Sequence, residues 1–347
     1  MTTEHDDDHP GRPARPHRPG GAVVTVLVWL VVVALAGLAL VRLVPFDGAT
    51  PFAQVVGMTP WVLLGGVVVL LLVVLLRRWA AGLVALLATV GLAVVVLPFY
   101  GSVPPLGPRA AGPGSGAQTA TVMTVNALYG RVDAERLVAE VRDRDVTVLA
   151  VVELNGGLVD RLHDAGLDEL LPHRTLARTD DATGNRGGGL WSATVQSDPD
   201  EGPADRWFAM PSATVQVGAT PVRVTVVHTV PPTPGSVSIW QSDLAAVRER
   251  AEADPTRQLL LGDYNATYDH ASFRRTLGDR FRDANRQWGR GLLPTWPSDR
   301  WVPPLMALDH VVVEHGTTVV DLDTVTLPGT DHRALIATLT FPAPVVS

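Results

Sequence analysis

The residues of this 347-residue chain that could do chemistry gather at the ends of apolar runs. Residues 119–126 alternate in the way a strand does and close on Asn126. Residues 146–153 form a continuous apolar run that ends in Glu153, residues 222–228 end in His228, and the short run 259–262 enters Asp263. A buried strand has no structural need to finish in a carboxylate or an imidazole. A strand end is a rigid platform, and converging ends are where a site is built. Gly262-Asp263-Tyr264-Asn265 sets an Asp and an Asn two apart, on one side of an extended segment. One suits a base or metal ligand, the other a contact to a phosphate oxygen. A tight turn favours the same residue types, so the tetrapeptide alone does not decide.

Two Asp-His pairs follow, Asp309-His310 and Asp331-His332, each beside an expected strand. An Asp next to a His fixes the imidazole tautomer and raises its pKa. His163, His173, His270 and His315 read as surface or structural residues. Cysteine is absent, which excludes disulfides, thiolate zinc sites and a cysteine nucleophile. An Asn, Glu, Asp and His set rich in oxygen donors suits Mg²⁺ or Mn²⁺. A hard cation with an Asp base and a His is a recurrent solution to phosphoester hydrolysis.

The elements that must carry these residues are legible in outline. From residue 118 onward, strand patterns alternate with helical ones at 132–144, 157–171, 236–253 and 270–277. Further strands are expected at 187–193, 213–217, 308–314, 319–326 and 334–341. This predicts an α/β sandwich of two packed sheets with outer helices. Residues 118–347 hold 21 Arg against 30 Asp plus Glu, a net of −9. That lacks the basic footprint long nucleic acids select. Lysine is absent and Ile occurs only twice, the codon bias of a GC-rich genome, so Arg richness is no argument for phosphate binding.

The first hundred residues differ in kind. Residues 1–21 are polar and Pro-rich and read as a disordered tail. Apolar runs at 22–41, 60–76 and 80–100 are each close to the ~20 residues a membrane-spanning helix needs. Three transmembrane helices are therefore expected within residues 22–100, followed by a Pro/Gly-rich linker at 101–117. Arg12, Arg15 and Arg18 precede the first run, and Arg77 and Arg78 separate the second from the third. Positive residues stay inside. A cytoplasmic N-terminus and an extracytoplasmic C-terminal domain follow, in a multi-pass protein of the cell membrane.

The order Asn126, Glu153, His228, Gly262-Asp263-Tyr264-Asn265, Leu308-Asp309-His310 and Thr330-Asp331-His332-Arg333 resembles the endonuclease/exonuclease/phosphatase superfamily over residues 119–341. The resemblance implies a four-layered α/β sandwich with its site at one edge of both sheets. It implies that Glu153, Asn126 and Asp331 lie on the metal side, with Glu153 the principal ligand. It implies that Asp263 activates or orients the attacking water and that Asn265 and His228 contact phosphate oxygens. His332 resembles the phosphate-side histidine, held by Asp309, with His310 a structural neighbour. Val152 stands where the nucleases carry Gln, which favours a phosphatase over a nuclease. Apolar runs ahead of such a domain are similar to VanJ-type actinobacterial membrane proteins linked to teicoplanin resistance. That similarity implies a phosphatase or pyrophosphatase of a lipid phosphate such as undecaprenyl pyrophosphate. The alternatives are an extracytoplasmic phosphodiesterase, of nuclease or sphingomyelinase type, and a non-catalytic membrane sensor. The expected partners are the bilayer and a phosphorylated lipid or small phosphoester, with nucleic acid disfavoured.

Overall fold

The computed structural model describes residues 19–101, 118–180 and 184–342. The tail and linker expectations fall almost wholly outside the described residues. The N-terminal part contains helices α1 (Pro19–Leu43), α2 (Phe52–Val56), α3 (Thr59–Leu75) and α4 (Trp79–Val96). The three longer ones pack together through Val32, Leu35, Ala39, Val73, Ala85 and Leu92. Gly66 lets α3 approach α4: a Cβ there would stand 2.8 Å from Thr89 Oγ1. Small residues serve close helix contacts of this kind.

The expectation of three spans is corrected: two helices, not three, qualify by length and composition. Among the described residues, only Gly21–Leu43 and Trp79–Phe99 are long and apolar enough to cross a bilayer, and α3 has 17 residues. At ~1.5 Å per residue, α3 rises about 26 Å, short of a hydrocarbon core of ~30 Å. Residues 55–58, which could have lengthened it, are used by α2 and the turn at Gly57.

The remaining described residues form the sandwich. In chain order they give β1 (Gln118–Asn126), α5 (Ala134–Asp143), β2 (Val148–Leu154), α6 (Gly156–Asp164), α7 (Leu167–Leu170), β3 (His173–Ala177) and β4 (Gly187–Ser192). Next come β5 (Gln196–Asp200), β6 (Ser212–Val217), β7 (Thr220–His228), α8 (Val237–Ala253), β8 (Arg257–Asp263), α9 (Ala271–Leu277) and β9 (Phe281–Asp283). The chain ends with α10 (Ala284–Trp288), β10 (Asp309–Glu314), β11 (Thr318–Thr326) and β12 (Arg333–Phe341). One sheet has the order β11-β12-β1-β2-β4-β3, the other β5-β6-β7-β8-β10-β9. Each has a parallel pair near its centre, β1 with β2 and β7 with β8.

Alternation decides the layers. Val122, Ala150 and Val152 of one sheet face Val224, Val226, Leu261 and Val311 of the other. Leu137, Val141, Leu158 and Leu162 cover the outer face of the first sheet. Trp240, Leu244 and Phe273 cover the second. Each such side chain, fully buried, contributes roughly 1.5–3 kcal/mol. Asp133 begins α5 by accepting from Arg136 N at 3.0 Å, which supplies an otherwise open helix N–H with a partner. The strands that periodicity missed are short or polar: β3, β9, and β5 with its Gln-Ser-Asp-Pro-Asp sequence on a sheet edge. Pro and charge are what edge strands tolerate.

The two parts touch directly. Arg42 Nε donates to Asp269 Oδ1 at 2.6 Å, with both side chains buried. Buried Asp47 accepts from Ser272 N at 2.7 Å and Ser272 Oγ at 2.8 Å. His270 Nε2 lies 2.6 Å from Ala53 O, and Gln54 donates to Pro232 O. Trp61 Nε1, in the first turns of α3, donates to Leu305 O at 2.9 Å. At the far end of α4, Phe99 packs edge-on against Tyr268, with centroids 5.2 Å apart. The loop from α1 to α3 and the end of α4 thus meet one face of the sandwich.

Candidate active site

The polar cluster is the last rung of the inter-sheet layer. In the second sheet His228 is in register with Asp263, and Asp309 is opposite Asp263 on the other side. Register partners share a face. These three therefore continue the rows Val222-Val224-Val226, Leu259-Leu261 and Val313-Val311. From the first sheet Asn126 closes the rung. Its Nδ2 donates to Asp263 Oδ2 and to Glu153 Oε1, both at 3.1 Å, while its Oδ1 accepts from Leu128 N at 3.0 Å. Asn126 thus holds together carboxylates from both sheets, and turns its nitrogen rather than its oxygen toward Glu153. Gly262 has φ +150°, and a Cβ there would stand 1.9 Å from Val227 O. Only Gly allows β8 to close on β7 just before Asp263.

Glu153 is delivered by a different device. The register between β2 and β4 shifts at Val152/Leu154, and Glu153 has φ +54°. Plain pleating would send the residue after inward-facing Val152 to the outer helices. The bulge re-aims it. Its Oε2 accepts from Tyr129 N at 2.9 Å. Asn265 is also left-handed, at φ +46°, with its N donating to Asp263 Oδ1 and its Nδ2 to Thr229 O, both at 2.8 Å. Non-Gly residues in this region cost of order 1–3 kcal/mol and cluster at functional sites.

The electrostatics separate the groups. Burial pushes the Asp263 carboxyl up to about 7, against the pull of His332, and Asp309 adds to the rise. Its proton balance therefore lies near neutrality, where a general base works best. Burial lowers the His332 imidazole, but the Asp309 and Asp263 carboxylates outweigh it and hold the ring at about 10. His332 Nδ1 is 2.7 Å from Asp309 Oδ2, and its Nε2 is 3.8 Å from Asp263 Oδ2. His228 is driven down to about 3 by burial and by charged His332. It is neutral, stacked on Phe208 at 3.7 Å, and its Nδ1 is buried with no hydrogen-bond partner. Burial raises the Glu153 carboxyl, and Asp331 adds to that rise while Tyr129 N and Asn126 oppose it.

The structure brings Asn126, Glu153, His228, Asp263, Asp309 and His332 to one edge, with Asp331 beside Glu153 and His332 and Asn265 hydrogen-bonded to Asp263. The two sequence-adjacent Asp-His pairs are not pairs in space. Neighbours on a strand face opposite ways. Asp309 turns inward to His332, while His310 turns outward to Asp283 Oδ1 at 3.1 Å. Asp331 accepts instead from Trp296 Nε1 at 3.0 Å. Sequence reasoning missed Trp296, Phe208, Asp283 and Thr330, whose Oγ1 donates to Asn126 O at 2.6 Å. Each acts through its neighbours, and no spacing signals that.

Two places suit a cation. Asp263, Asp309 and His332 offer atoms all within 4.8 Å of one another. There, however, Asp309 and His332 bond to each other, and a charged imidazole is no ligand. Glu153 and Asp331 are both half-buried acids, and the Asp331 charge raises the cost of ionising Glu153. A divalent cation would relieve that repulsion, and their hard oxygens fit Mg²⁺ or Mn²⁺. The chemistry of the donor set thus favours the Glu153/Asp331 side.

Residues 123–332 match the model of the Endonuclease/Exonuclease/phosphatase family. Among solved structures, a humanised D. rerio TDP2 aligns with TM-score 0.52 at 15% identity, over 64% of this chain and 98% of that one. A 3′ phosphatase, NExo, from Neisseria bound to product DNA hairpin aligns with TM-score 0.53 at 19% identity, over 63% and 98%. An endonuclease/exonuclease/phosphatase from Beutenbergia cavernae aligns with TM-score 0.52 at 18% identity, over 66% and 73%. At these identities the likeness is one of fold. No curated protein matches the chain.

Proposed function

The chain belongs to the Endonuclease/Exonuclease/phosphatase family of phosphoester hydrolases, and we propose that it hydrolyses the phosphate or pyrophosphate of a membrane lipid outside the cell, with Mg²⁺ or Mn²⁺. The observation that carries this reading is where the helices dock. They hold segments that flank the site residues: Pro232 after His228, Asp269 and His270 after Asp263, and Leu305 before Asp309. The site edge of the sandwich and the helices are therefore neighbours. The helices suit a bilayer, because only 17% of the apolar stretch in Gly21–Leu43 and 33% of that in Trp79–Phe99 is buried. Leu30, Leu71, Leu75 and Val94 stand exposed in a way a water-facing surface rarely carries. Arg78 donates to Gly21 O, so α1 and α4 both start at the end away from the sandwich, and α3 carries the chain back to that end between them. Arg77 and Arg78 favour the cytoplasm for that end, which leaves the sandwich outside. The VanJ-type resemblance read from the sequence would make that substrate a polyprenyl pyrophosphate.

In this reading Glu153 and Asp331, with Asn126 beside them, would hold a divalent cation, which would supply neutralisation of phosphate charge. Asp263 takes the proton of the attacking water. Charged His332, fixed by Asp309, faces the negative charge that builds on the phosphoryl oxygens. Neutral His228 and Asn265 orient the phosphate. The test is phosphate release from polyprenyl pyrophosphate by the full-length protein in nanodiscs with Mg²⁺, set beside plasmid DNA. Release that Asp263→Ala abolishes is expected. Cleavage of DNA with no lipid turnover would overturn the proposal.

A further inference from the structure

A segment between α10 and β10 belongs to neither the core nor the site. Trp296 and Met306 bridge antiparallel, with Leu305 N and Met306 N donating to Trp296 O at 2.8 and 2.9 Å. They close a loop over residues 297–305. Its first limb is fixed to the site: Trp296 Nε1 bonds Asp331 Oδ2, and Ser298 N donates to Asp331 O at 2.8 Å. Its second limb is fixed to the helices through Trp61 Nε1 on Leu305 O. Between these anchors Trp301 is 96% exposed. The other exposed tryptophan of the sandwich outside the helices, Trp207, has the Arg186 guanidinium 3.8 Å above its ring. Among the described residues no aromatic ring or cation packs against Trp301.

A large indole held at the tip of a loop with a fixed base loses hydrophobic free energy in water. Indoles gain at the membrane–water boundary, where one edge is apolar and the other wet. Trp61 marks where such a boundary falls, because it opens an apolar helix whose next residues are Val62, Leu63 and Leu64. We infer that the 297–305 loop is an interfacial loop, with Trp301 seated among lipid headgroups beside the site. It would hold the site edge at the depth of a lipid phosphate. This deepens the lipid-phosphate reading and rests on the helices lying in a bilayer.

The lack of cysteine makes the test clean. Trp301→Cys in the full-length chain is labelled with a polarity-sensitive dye and reconstituted in vesicles with headgroup-region spin-labelled lipid. Ala219→Cys, in the exposed turn before β7 and so at the far strand ends, is the control. Strong quenching at 301 and little at 219 is expected. Quenching at neither, or equally at both, overturns the inference. Trp301→Ser should slow turnover of vesicle-borne polyprenyl pyrophosphate about tenfold and leave a short-chain soluble pyrophosphate unaffected. Equal slowing of both substrates also overturns it. If 301 is quenched but the unmodified protein cleaves no lipid phosphate, the substrate reading fails and the interfacial loop stands. If lipid is cleaved and 301 is not quenched, the loop inference alone fails.

Discussion

Two buried Asp–His pairs sit within one sheet and its neighbour, and they differ in what the second ring nitrogen meets. His310 gives Nδ1 to Asp283 and Nε2 to Ala266 O at 2.8 Å, so both nitrogens face acceptors. Tyr264 and Phe273 close over it, with ring centroids 5.5 and 4.2 Å away. His332 gives Nδ1 to Asp309, but its Nε2 faces the Asp263 carboxylate at 3.8 Å, beyond a hydrogen bond. Both imidazoles are raised above their ordinary value by a carboxylate that outweighs burial. The same pair thus serves structure when its second nitrogen is consumed and chemistry when that nitrogen is left open. Asp309 Oδ1 and Asp283 Oδ2, both buried without a partner, show that each pair is built around the imidazole rather than around the acid.

The sharpest way to break this comparison is to remove each imidazole in turn. His332→Ala should lower turnover per folded molecule by roughly 10³–10⁴-fold, the scale of a positioned acid–base or oxyanion group, beyond any stability lost by leaving Asp309 without its partner. Initial rates on the preferred substrate, normalised to folded protein, measure it. Near-normal rates would show that the open nitrogen has no role.

His310→Ala should do the opposite. It strands Asp283 in the core, a loss of about 3–5 kcal/mol, while the molecules that remain folded keep most of their turnover. The pH dependence carries a definite sign. Because the folded His310 pKa is raised above 6.5, its contribution is complete below pH 6.5 and is lost as pH rises through the folded value. Denaturation curves of wild type and variant should therefore lie furthest apart in mild acid and converge toward alkaline pH. A gap that widened with pH would mean that His310 is neutral in the fold.

How much of this was legible beforehand follows from the same geometry. Strand ends carrying Asn126, Glu153, His228 and Asp263 could be read, because periodicity shows where an apolar run stops. The two sheets followed from the same alternation. The pairing of Asp309 with His332 was suggested only by family resemblance, since local spacing pointed to His310. The bulge that turns Glu153 inward leaves no periodic signal, because it is a break in periodicity. The length of the middle apolar helix was misread for a related reason. Hydropathy continues through residues 55–58, but α2 folds back onto His270 of the sandwich, just after Asp47 engages Ser272, instead of extending α3. The contact of Trp296 with Asp331 joins residues 35 apart across a loop with no motif of its own.

That last contact yields the smallest predicted effect. The Trp296 indole donates to Oδ2 of Asp331 and leaves Oδ1 outside that bond. Partners of this sort fix a ligand's orientation, and losing one typically weakens metal affinity 10–100-fold. Trp296→Phe keeps the ring that packs at the loop base and removes only the donor. The Mg²⁺ concentration for half-maximal rate should rise about tenfold, with little change in the rate at saturating metal. Isothermal titration with Mn²⁺ gives a readout independent of turnover. If the variant instead loses maximal rate at all metal concentrations, Asp331 acts on His332 and the phosphoryl group rather than on the cation, and the division between a metal side and a histidine side would have to be redrawn around Glu153 alone.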